Sequence, residues 1–204
     1  TLNRFDISTD PFIITSIIGI ESQYGNFIGR HKALHALGNI VSEDNPNKQH
    51  RLHPYMSKQL AGLLYAGYKG YLDLDTLISS WDGGIGLAQF MPEPYLQDAL
   101  SASNKIPDLF KPSDAILSIN NYFAKRGKWR NGPIATQIDP STEMVGLLES
   151  RRELKCTPSL CPDPNNDNPQ KIYKIGITNG EYEYWMIYPN FMNIMTYNPR
   201  ISYG

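Results

Sequence analysis

The pattern of apolar residues changes once along this chain, near Lys155, and this change constrains the fold more than any other feature. Before it, apolar side chains recur at the three- and four-residue spacing of amphipathic helices. After it, a loop rich in proline and asparagine over residues 156–170 leads into two β-forming segments, which Asn179-Gly180 separates. Asn-Gly between such segments is the strongest short signal of a β-hairpin. The sequence therefore predicts a mainly helical (α+β) protein with one small β-hairpin element.

Helix boundaries are marked at several points before the change in pattern. Asp10-Pro11 provides an N-cap acceptor followed by proline at the first helical position. The isoleucines after it predict a helix that is apolar nearly all round, hence buried, and that stops at Gly25. Residues 41–53 are predicted to form a loop. Further helices are predicted over 31–40, from Pro54 to about Gly67, after the glycines of 83–100, from the cap Ser113 to Gly127, and over 141–154.

Length and composition exclude several classes of protein. A chain of 204 residues is long enough to bury one real core. Its 19 basic and 20 acidic residues give a net charge of −1, whereas a nucleic-acid-binding protein normally has a basic surplus. The sequence has no run of apolar residues long enough for a transmembrane helix. Its 13 tyrosines suit a groove for a sugar chain as well as ordinary core positions.

Cysteines and histidines give no metal-binding pattern. Cys156 and Cys161 either form a short-loop disulfide, typical of an oxidising compartment, or remain free thiols. They are too few for a structural zinc site, which needs four ligands. His31 and His35 would share one face of a helix, but the glutamate of a zinc-protease motif is missing between them. We therefore predict an ordinary helix face there.

Glu21 is the residue best placed for chemistry, near the C-terminal end of the isoleucine-rich helix. Apolar surroundings and the negative end of a helix dipole both raise the pKa of a carboxyl group. A carboxylic acid that stays protonated near neutral pH can protonate a leaving-group oxygen. Position alone also fits a Glu21 that simply points into solvent at a helix end.

The segment GGIGLAQFMP, residues 83–92, is the second informative stretch. Its glycines permit close backbone approach, and Gln89 can donate and accept hydrogen bonds. A phosphate-binding loop is excluded because no Lys-Ser/Thr pair follows the glycines. Taken alone, the segment is equally typical of a tight turn between helices.

Four segments in a fixed order carry a family resemblance: IIGIESQYG, GGIGLAQFMPEPY, KPSDAILSINNYFAKRGKW and YPNFMNIMTYN. Over roughly residues 12–130 and 171–203, the chain resembles the lytic murein transglycosylase B family. The resemblance implies a lysozyme-like fold and cleavage of peptidoglycan glycan strands without water. The bond cut is the β-1,4 bond between N-acetylmuramic acid and N-acetylglucosamine, and the product carries a 1,6-anhydro ring on the muramic sugar.

The resemblance also implies roles for individual residues. Glu21 matches the catalytic residue, which acts first as general acid and then as general base. Asn198 would hydrogen-bond the N-acetyl group of the substrate, and Phe90 and Met91 would form the apolar wall of the cleft. The other substrate-binding residues that it implies are Ser80, Gln89, Tyr122, Tyr197 and Tyr203.

The organisation expected from the resemblance is a helical domain with an insertion. Residues 1–139 would form the first part of the catalytic core, 140–186 a small insertion with the cysteine loop and the hairpin, and 187–204 the return to the core. Peptidoglycan glycan strands as the partner place the protein in the periplasm or cell envelope of a Gram-negative-type bacterium. Anchoring to a membrane through a segment outside this chain, and contacts with other cell-wall enzymes, stay open.

Some family members carry an acidic calcium loop before the helix predicted at Ser113, and here the sequence departs from them. Residues 100–108 retain a single carboxylate, that of Asp108, and Lys111 adds a repelling charge. Since calcium sites need several oxygen ligands, usually with carboxylates among them, we predict no calcium site and no cofactor.

Two other functions compete with the transglycosylase. A lysozyme-type muramidase hydrolyses the glycosidic bond and usually recruits a second carboxylate, for which Asp82 is the candidate, although an aspartate is also common at turns. A non-catalytic peptidoglycan-binding module would bind the glycan without cutting it. A carboxylate facing Glu21 across a cleft would favour the muramidase.

Overall fold

The computed structural model describes residues 7–42, 49–127, 129–130, 132–161 and 167–199. The chain forms two compact units, residues 1–125 and residues 126–204. The division into a core and an insertion over 140–186 stays a prediction. None of the helices among the described residues has both the length and the apolarity needed to cross a membrane.

The first unit is built from helices and one short ladder of two strands. Strand β1 (His31–Lys32) pairs antiparallel with β2 (Ile78–Ser79). The five helices described in this unit are α1 (Pro11–Ser22), α2 (Ala33–Ser42), α3 (Gln49–Tyr68), α4 (Pro92–Asp98) and α5 (Pro112–Tyr122), the last continued by a π-helical turn over Phe123–Gly127.

Helix α1 begins as the sequence predicts. The side chain of Asp10 accepts a hydrogen bond of 2.8 Å from the N–H of Phe12, which confirms the N-cap. The helix ends at Ser22, earlier than the predicted stop at Gly25, because Gln23 already adopts a left-handed conformation with φ of 49°.

The prediction that α1 is buried all round is wrong. Ile14 and Ile17 are buried, but the side chain of Phe12 is 82% exposed and that of Ile20 is 56% exposed. Ile14 and Ile17 are three residues apart and therefore share one face of the helix, and only this face of α1 packs against the core.

Helix α3 begins earlier than predicted. Its first residue is Gln49, so residues 49–53, the last five of the loop predicted over 41–53, belong to the helix. Residues 41 and 42, the first two of that predicted loop, form the end of α2. Residues 43–48 lie outside the described part of the chain. Pro54 lies inside the helix, where its ring nitrogen has no hydrogen to donate. The sequence pattern therefore placed the start of the helix at Pro54, although this proline lies inside it.

A buried glutamine connects α3 to α4 and so positions the segment before α4. Gln59 has no exposed surface, and its Oε1 accepts a hydrogen bond of 3.0 Å from the N–H of Glu93 in the first turn of α4. Lys58 adds an ion pair of 2.6 Å to the carboxylate of Glu93. Helix α4 confirms the helix predicted after the glycines, and these two contacts attach its first turn to α3.

The second unit contains a four-stranded antiparallel sheet. Its strands are β3 (Ala135–Ile138), β4 (Glu153–Lys155), β5 (Lys171–Gly176) and β6 (Tyr182–Ile187), in the order β3-β6-β5-β4. The predicted hairpin is confirmed as β5–β6. Its loop has three residues, because Ile177 pairs with Glu181 and Gly180 adopts φ of 77°.

Each face of this sheet packs against a different element. Helix α6 (Thr142–Leu147), with Leu148 and the cysteine loop, covers the face that carries Leu154, Ile172 and Met186; we call it the α6 face. Helix α7 (Pro189–Tyr197) covers the opposite face, where Phe191 packs with Tyr173 and Ile187; we call it the α7 face. Successive side chains along a strand point to opposite faces, so the register assigns every strand residue to one of them.

Several details of the second half differ from the predictions. The helix predicted over 141–154 ends at Leu147, and strand β4 begins at Glu153, near the predicted end of that helix. Strand β3 was not predicted. Helix α5 begins at Pro112 with Lys111 at its N-cap, so Ser113 is not the cap. Of the two states left open for the cysteines, the structure has the disulfide between Cys156 and Cys161.

Candidate active site

A cavity of about 270 Å³ lies in the first unit, where the end of α1 meets the segments around β1 and the glycine segment. It brings together three residues that the sequence predicted for the site: Glu21, Ser80 and Gln89. Trp81, 70% exposed, is also part of its wall. The remaining lining residues are Phe27, Gly29, Arg30 and His31.

Glu21 lies in the last turn of α1 and is half-buried. The next residue, Ser22, holds the end of this helix in place: its Oγ donates to the carbonyl of Ile18 at 2.9 Å, and its carbonyl accepts from the N–H of Phe27 at 2.8 Å. These bonds satisfy polar groups that a helix end leaves without intrahelical partners. Glu21 therefore projects from a fixed helix end.

The β1–β2 ladder brings the chain after Glu21 to the glycine segment. His31 pairs with Ser79, and Gly29, with φ of 94°, packs directly on the backbone of Ser79 and Ser80. A Cβ at Gly29 would overlap that backbone. Only glycine permits both this conformation and this approach.

Ser80 closes the turn at the start of the glycine segment. Its Oγ donates a hydrogen bond of 2.6 Å to Oδ1 of Asp82 and accepts one of 2.8 Å from the N–H of Gly84. The backbone N–H of Ser80 also donates to the carbonyl of Gly84 at 2.9 Å. The hydroxyl is thus oriented from both sides.

Gln89 is held in an unusual backbone conformation, with φ of 47°. Its Nε2 donates to the carbonyl of Gly86 at 2.7 Å. A Cβ placed on Gly84 would lie 2.7 Å from Oε1 of Gln89 and 2.8 Å from Oγ of Ser80. The side chains of Gln89 and Ser80 therefore meet over Gly84. The left-handed backbone conformation of Gln89 is strained, and such strain often occurs at functional sites.

Phe90, Met91 and Tyr122 are placed differently from these residues. Phe90 and Tyr122 are buried, with exposures of 3% and 5%, and their ring centroids are 5.9 Å apart. Met91 is half-buried at the N-cap of α4. None of the three is among the residues that line the cavity. Their contact with substrate stays a prediction.

Three predicted site residues belong to the C-terminal part of the chain. Tyr197 ends α7, and the N–H of Asn198 donates to the carbonyl of Ile194 at 3.3 Å. Both side chains are half-buried. Tyr203 lies outside the described residues. Their roles at the substrate stay predictions.

Five residues that line the cavity were not predicted as site residues: Phe27, Gly29, Arg30, His31 and Trp81. The guanidinium of Arg30 lies 5.4 Å from the ring centroid of Phe27, a cation–π contact. His31 lies in β1, so the prediction that it shares a helix face with His35 is wrong. The one signal available was proximity, because these residues follow Glu21 or Ser80 closely along the chain.

The segment that corresponds to the calcium loop of some family members is held by its own side chains. The carboxylate of Asp114 accepts hydrogen bonds from the N–H groups of Ala102 and Asp108 at 3.0 and 2.9 Å, and Asp108 forms an ion pair of 2.9 Å with Lys111. Burial raises the pKa of Asp114, but these hydrogen bonds outweigh it and lower the pKa below its usual value. A donor set engaged in this way does not fit a calcium ion.

The site is a water-accessible cavity that presents one carboxylate at a helix end, beside a serine and a glutamine held on a glycine-rich turn. Residues 4–204 match the family model described as the transglycosylase SLT domain, and the chain belongs to that family.

Individual relatives agree with this assignment. Membrane-bound lytic murein transglycosylase B of Escherichia coli (strain K12) is 29% identical over 200 residues, which cover 95% of this chain and 54% of that protein. The chain thus spans about half the length of this curated relative.

Solved structures show the same fold. The Escherichia coli lytic transglycosylase SLT35, in complex with bulgecin A, matches with a TM-score of 0.81 and 29% identity, over 99% of this chain and 65% of that one. The soluble lytic transglycosylase SltB1 from Pseudomonas aeruginosa matches with a TM-score of 0.79 and 26% identity, over 94% of this chain and 65% of that one. These matches confirm the predicted mainly helical, lysozyme-like fold class.

Proposed function

We propose that this chain is a peptidoglycan lytic transglycosylase. It cleaves the β-1,4 bond between N-acetylmuramic acid and N-acetylglucosamine and leaves a 1,6-anhydro-N-acetylmuramic acid end. The observation that carries the proposal is the cavity in which Glu21 is the one carboxylate among the described lining residues. The similarity to the Escherichia coli relative, a lytic murein transglycosylase, supports the substrate class.

In the first step Glu21 acts as a general acid. Its carboxyl group donates a proton to the glycosidic oxygen while the bond between that oxygen and C1 of the muramic sugar breaks. The electron pair of the broken bond leaves with the oxygen, and N-acetylglucosamine departs with a hydroxyl group. The N-acetyl group of the muramic sugar stabilises the positive charge at C1, as in other substrate-assisted glycosidases.

In the second step the Glu21 carboxylate acts as a base. It takes the proton of the C6 hydroxyl of the same sugar, and the C6 oxygen attacks C1 and closes the anhydro ring. The proton given in the first step is thereby returned, and no water is consumed. One carboxyl group suffices for both steps.

The residues around Glu21 are suited to hold the sugar. Ser80 and Gln89 supply polar groups with fixed positions, which is what orientation of a bound substrate requires. Trp81 offers an exposed ring on the cavity wall, and an aromatic face with a polar edge suits the apolar side of a sugar ring. Arg30 adds a cation to the same wall.

The hydrolytic alternative receives less support from the same geometry. A muramidase would use a second carboxylate facing Glu21 across room for a water molecule. Asp82, the candidate, accepts the hydrogen bond of Ser80 and is not one of the described residues that line the cavity. Its place is better explained as part of the turn.

The periplasm or cell envelope is where such an activity would act, since peptidoglycan lies there. An intramolecular disulfide is consistent with that oxidising compartment. Membrane anchoring and association with other cell-wall enzymes stay proposals of the same kind.

Glu21→Gln separates the enzyme from a binding module. Purified peptidoglycan is incubated with the wild type and the variant, and both the loss of turbidity and the protein that sediments with the glycan are measured. We expect Glu21→Gln to lose at least about a hundredfold in rate while it still sediments, because only the proton donor is lost. Glu181→Gln, at the exposed hairpin loop, is the matched control and should behave as wild type. A wild type that sediments but never clears the suspension would instead support a binding module.

A further inference from the structure

A second cavity, of about 620 Å³, is lined entirely by residues of the unit 126–204. It contains none of the residues proposed for glycan cleavage. We call it the basic pocket, because its charged lining residues are Arg151, Arg152 and Lys174, with Glu149 as the one acidic group. The uncharged lining residues are Ser150, Tyr173, Ile175, Gly176 and Tyr182.

The register of the sheet places three of these side chains together. The N–H of Lys174 donates to the carbonyl of Arg152 at 2.9 Å, so the two residues are neighbours across β4 and β5. Gly176 pairs with Tyr182, which puts Tyr182 diagonally opposite Lys174. Alternation from the buried Leu154 and Ile172 assigns Arg152 and Lys174 to the α6 face. The three side chains of Arg152, Lys174 and Tyr182 therefore continue the α6 face beyond its apolar cluster.

Lys174 is a fixed cation in the basic pocket. Its Nζ donates to the carbonyl of Leu148 at 3.3 Å and lies 4.1 Å from the ring centroid of Tyr182. The carbonyl and the ring both attract an ammonium group without neutralising its charge. The half-buried side chain is therefore already ordered for a ligand.

The two arginines add positive charge to the basic pocket, and none of the described residues neutralises it. Arg151 and Arg152 are exposed, and no carboxylate among the described residues forms an ion pair with either. Glu153, the acidic neighbour in sequence, belongs to the α7 face and pairs with Lys171 at 2.8 Å. A concave surface with an excess of positive charge attracts negatively charged ligands.

We propose that the basic pocket binds an acidic peptide, namely a peptide stem of the peptidoglycan whose glycan strand the enzyme cuts. The choice of this ligand rests on the proposed function. Carboxylates of the peptide would pair with Arg151, Arg152 and Lys174, since guanidinium groups match carboxylate geometry. Glu149 would take an ammonium group of the same peptide, and Tyr182 offers a ring for aliphatic parts.

The acidic group in the basic pocket decides against a phosphate polymer as the ligand. A polyanion without ammonium groups would leave Glu149 unpaired and repelled, whereas a peptide with carboxylates and an amine matches both signs of charge. Phosphate polymers are therefore the competing ligand in the test.

The test is a titration of the Glu21→Gln protein with N-acetyl-Ala-γ-Glu-Lys-Ala, followed by the backbone amide signals in NMR spectra. We expect the signals of Arg152, Lys174 and Tyr182 to shift and to saturate. Arg152→Gln should bind about tenfold more weakly, the loss expected for one charge-assisted hydrogen bond. The same peptide with both carboxylates amidated should bind more weakly still.

Lys155→Gln is the matched control, because Lys155 is an exposed cation of β4, close to Arg152 in sequence, but belongs to the α7 face. Its affinity should equal that of the parent protein. Arg151→Gln provides a second variant if Arg152→Gln does not fold. The proposal is overturned if these amides do not shift, if both arginine variants bind like the parent, or if poly(glycerol phosphate) binds more tightly than the peptide. Since the titration needs no cleavage, a failed peptide titration and a failed peptidoglycan digestion are separate results.

Discussion

The hydroxyl of Ser80 donates a hydrogen bond of 2.6 Å to the carboxylate of Asp82. This bond orients the hydroxyl at the wall of the cavity that holds Glu21, and it gives the one nearby aspartate of the turn a structural partner. The relationship bears directly on mechanism, because the same aspartate is the candidate second carboxylate of a hydrolase.

Asp82→Asn distinguishes these two roles. Asparagine keeps an acceptor oxygen for Ser80, so we expect the rate of peptidoglycan cleavage to fall by less than about tenfold if Asp82 only orients the hydroxyl. A catalytic carboxylate would cost at least about a hundredfold. The rate of turbidity loss measures the difference, with Ser80→Ala as the variant that removes the oriented hydroxyl altogether. A hundredfold loss in Asp82→Asn would favour the muramidase.

Gly84→Ala is expected to impair activity more than stability. The added Cβ would lie within 2.8 Å of both Gln89 Oε1 and Ser80 Oγ, so these groups must move from their positions in the cavity. Gly38→Ala in α2 is the control, since nothing lies within 4 Å of its Cβ, and it should stabilise the protein by about 0.5–1 kcal/mol. Cleavage rates and chemical denaturation of both variants check this. Normal activity in Gly84→Ala would contradict the role given to the close approach.

Asp114→Asn should destabilise the first unit by about 1–3 kcal/mol, because one of two partly buried N–H donors loses its acceptor. The folded-state pKa of Asp114 is lowered from its usual value of 3.8. Its contribution is therefore present above pH 3.8 and is lost as pH falls through the lower folded pKa. Urea denaturation at pH 7 and at successively lower pH measures this.

Asp75→Asn is the control for that experiment, since Asp75 is an exposed aspartate of the same unit. Its stability should match the wild type across the same pH range. A difference between Asp114→Asn and wild type that persists unchanged under strongly acidic conditions would rule out the carboxylate as its source.

Reduction of the disulfide should destabilise the second unit. Cys156 and Cys161 close a short loop, with a sequence separation of 5, and loop-closure entropy for such a loop amounts to about 2 kcal/mol. The buried Cys161 also belongs to the apolar cluster on the α6 face. Thermal unfolding of the protein with and without reductant, and of the Cys156→Ser/Cys161→Ser variant, measures the loss. Identical unfolding curves would contradict it.

Local signals predicted the parts of the fold that depend on a few neighbouring residues. The N-cap at Asp10 and the hairpin at Asn179-Gly180 were both correct, because each is determined by the conformational preferences of two or three residues. The exposed Phe12 and Ile20 were not foreseen, since a run of isoleucines does not reveal how much of a helix the core covers.

Strands β3 and β4 were missed for a different reason. Strand β4 has three residues and carries one buried side chain, Leu154, so its sequence shows no recognisable alternation. It is stabilised by pairing with β5, which follows after the disulfide loop. Short strands of this kind depend on distant partners more than on their own propensity.

The candidate site was predicted in part. Glu21 was singled out by its position at a helix end, Gln89 by the glycine segment and Ser80 by the family resemblance, and the structure places all three at one cavity. Arg30 and Trp81 were missed because both lie outside the four recognised segments, and the pairing of β1 with β2, which joins parts of the chain far apart in sequence, brings them to one cavity. Single motifs do not contain that information.

The most direct test of the central claim is mass spectrometry of the muropeptides that wild type and Glu21→Gln release from purified peptidoglycan. The proposed mechanism predicts wild-type products that lack one water at the muramic end, as a 1,6-anhydro ring requires, and none of these products from Glu21→Gln. Hydrated reducing ends from the wild type, or anhydro products that persist in Glu21→Gln, would contradict a transglycosylase that uses Glu21.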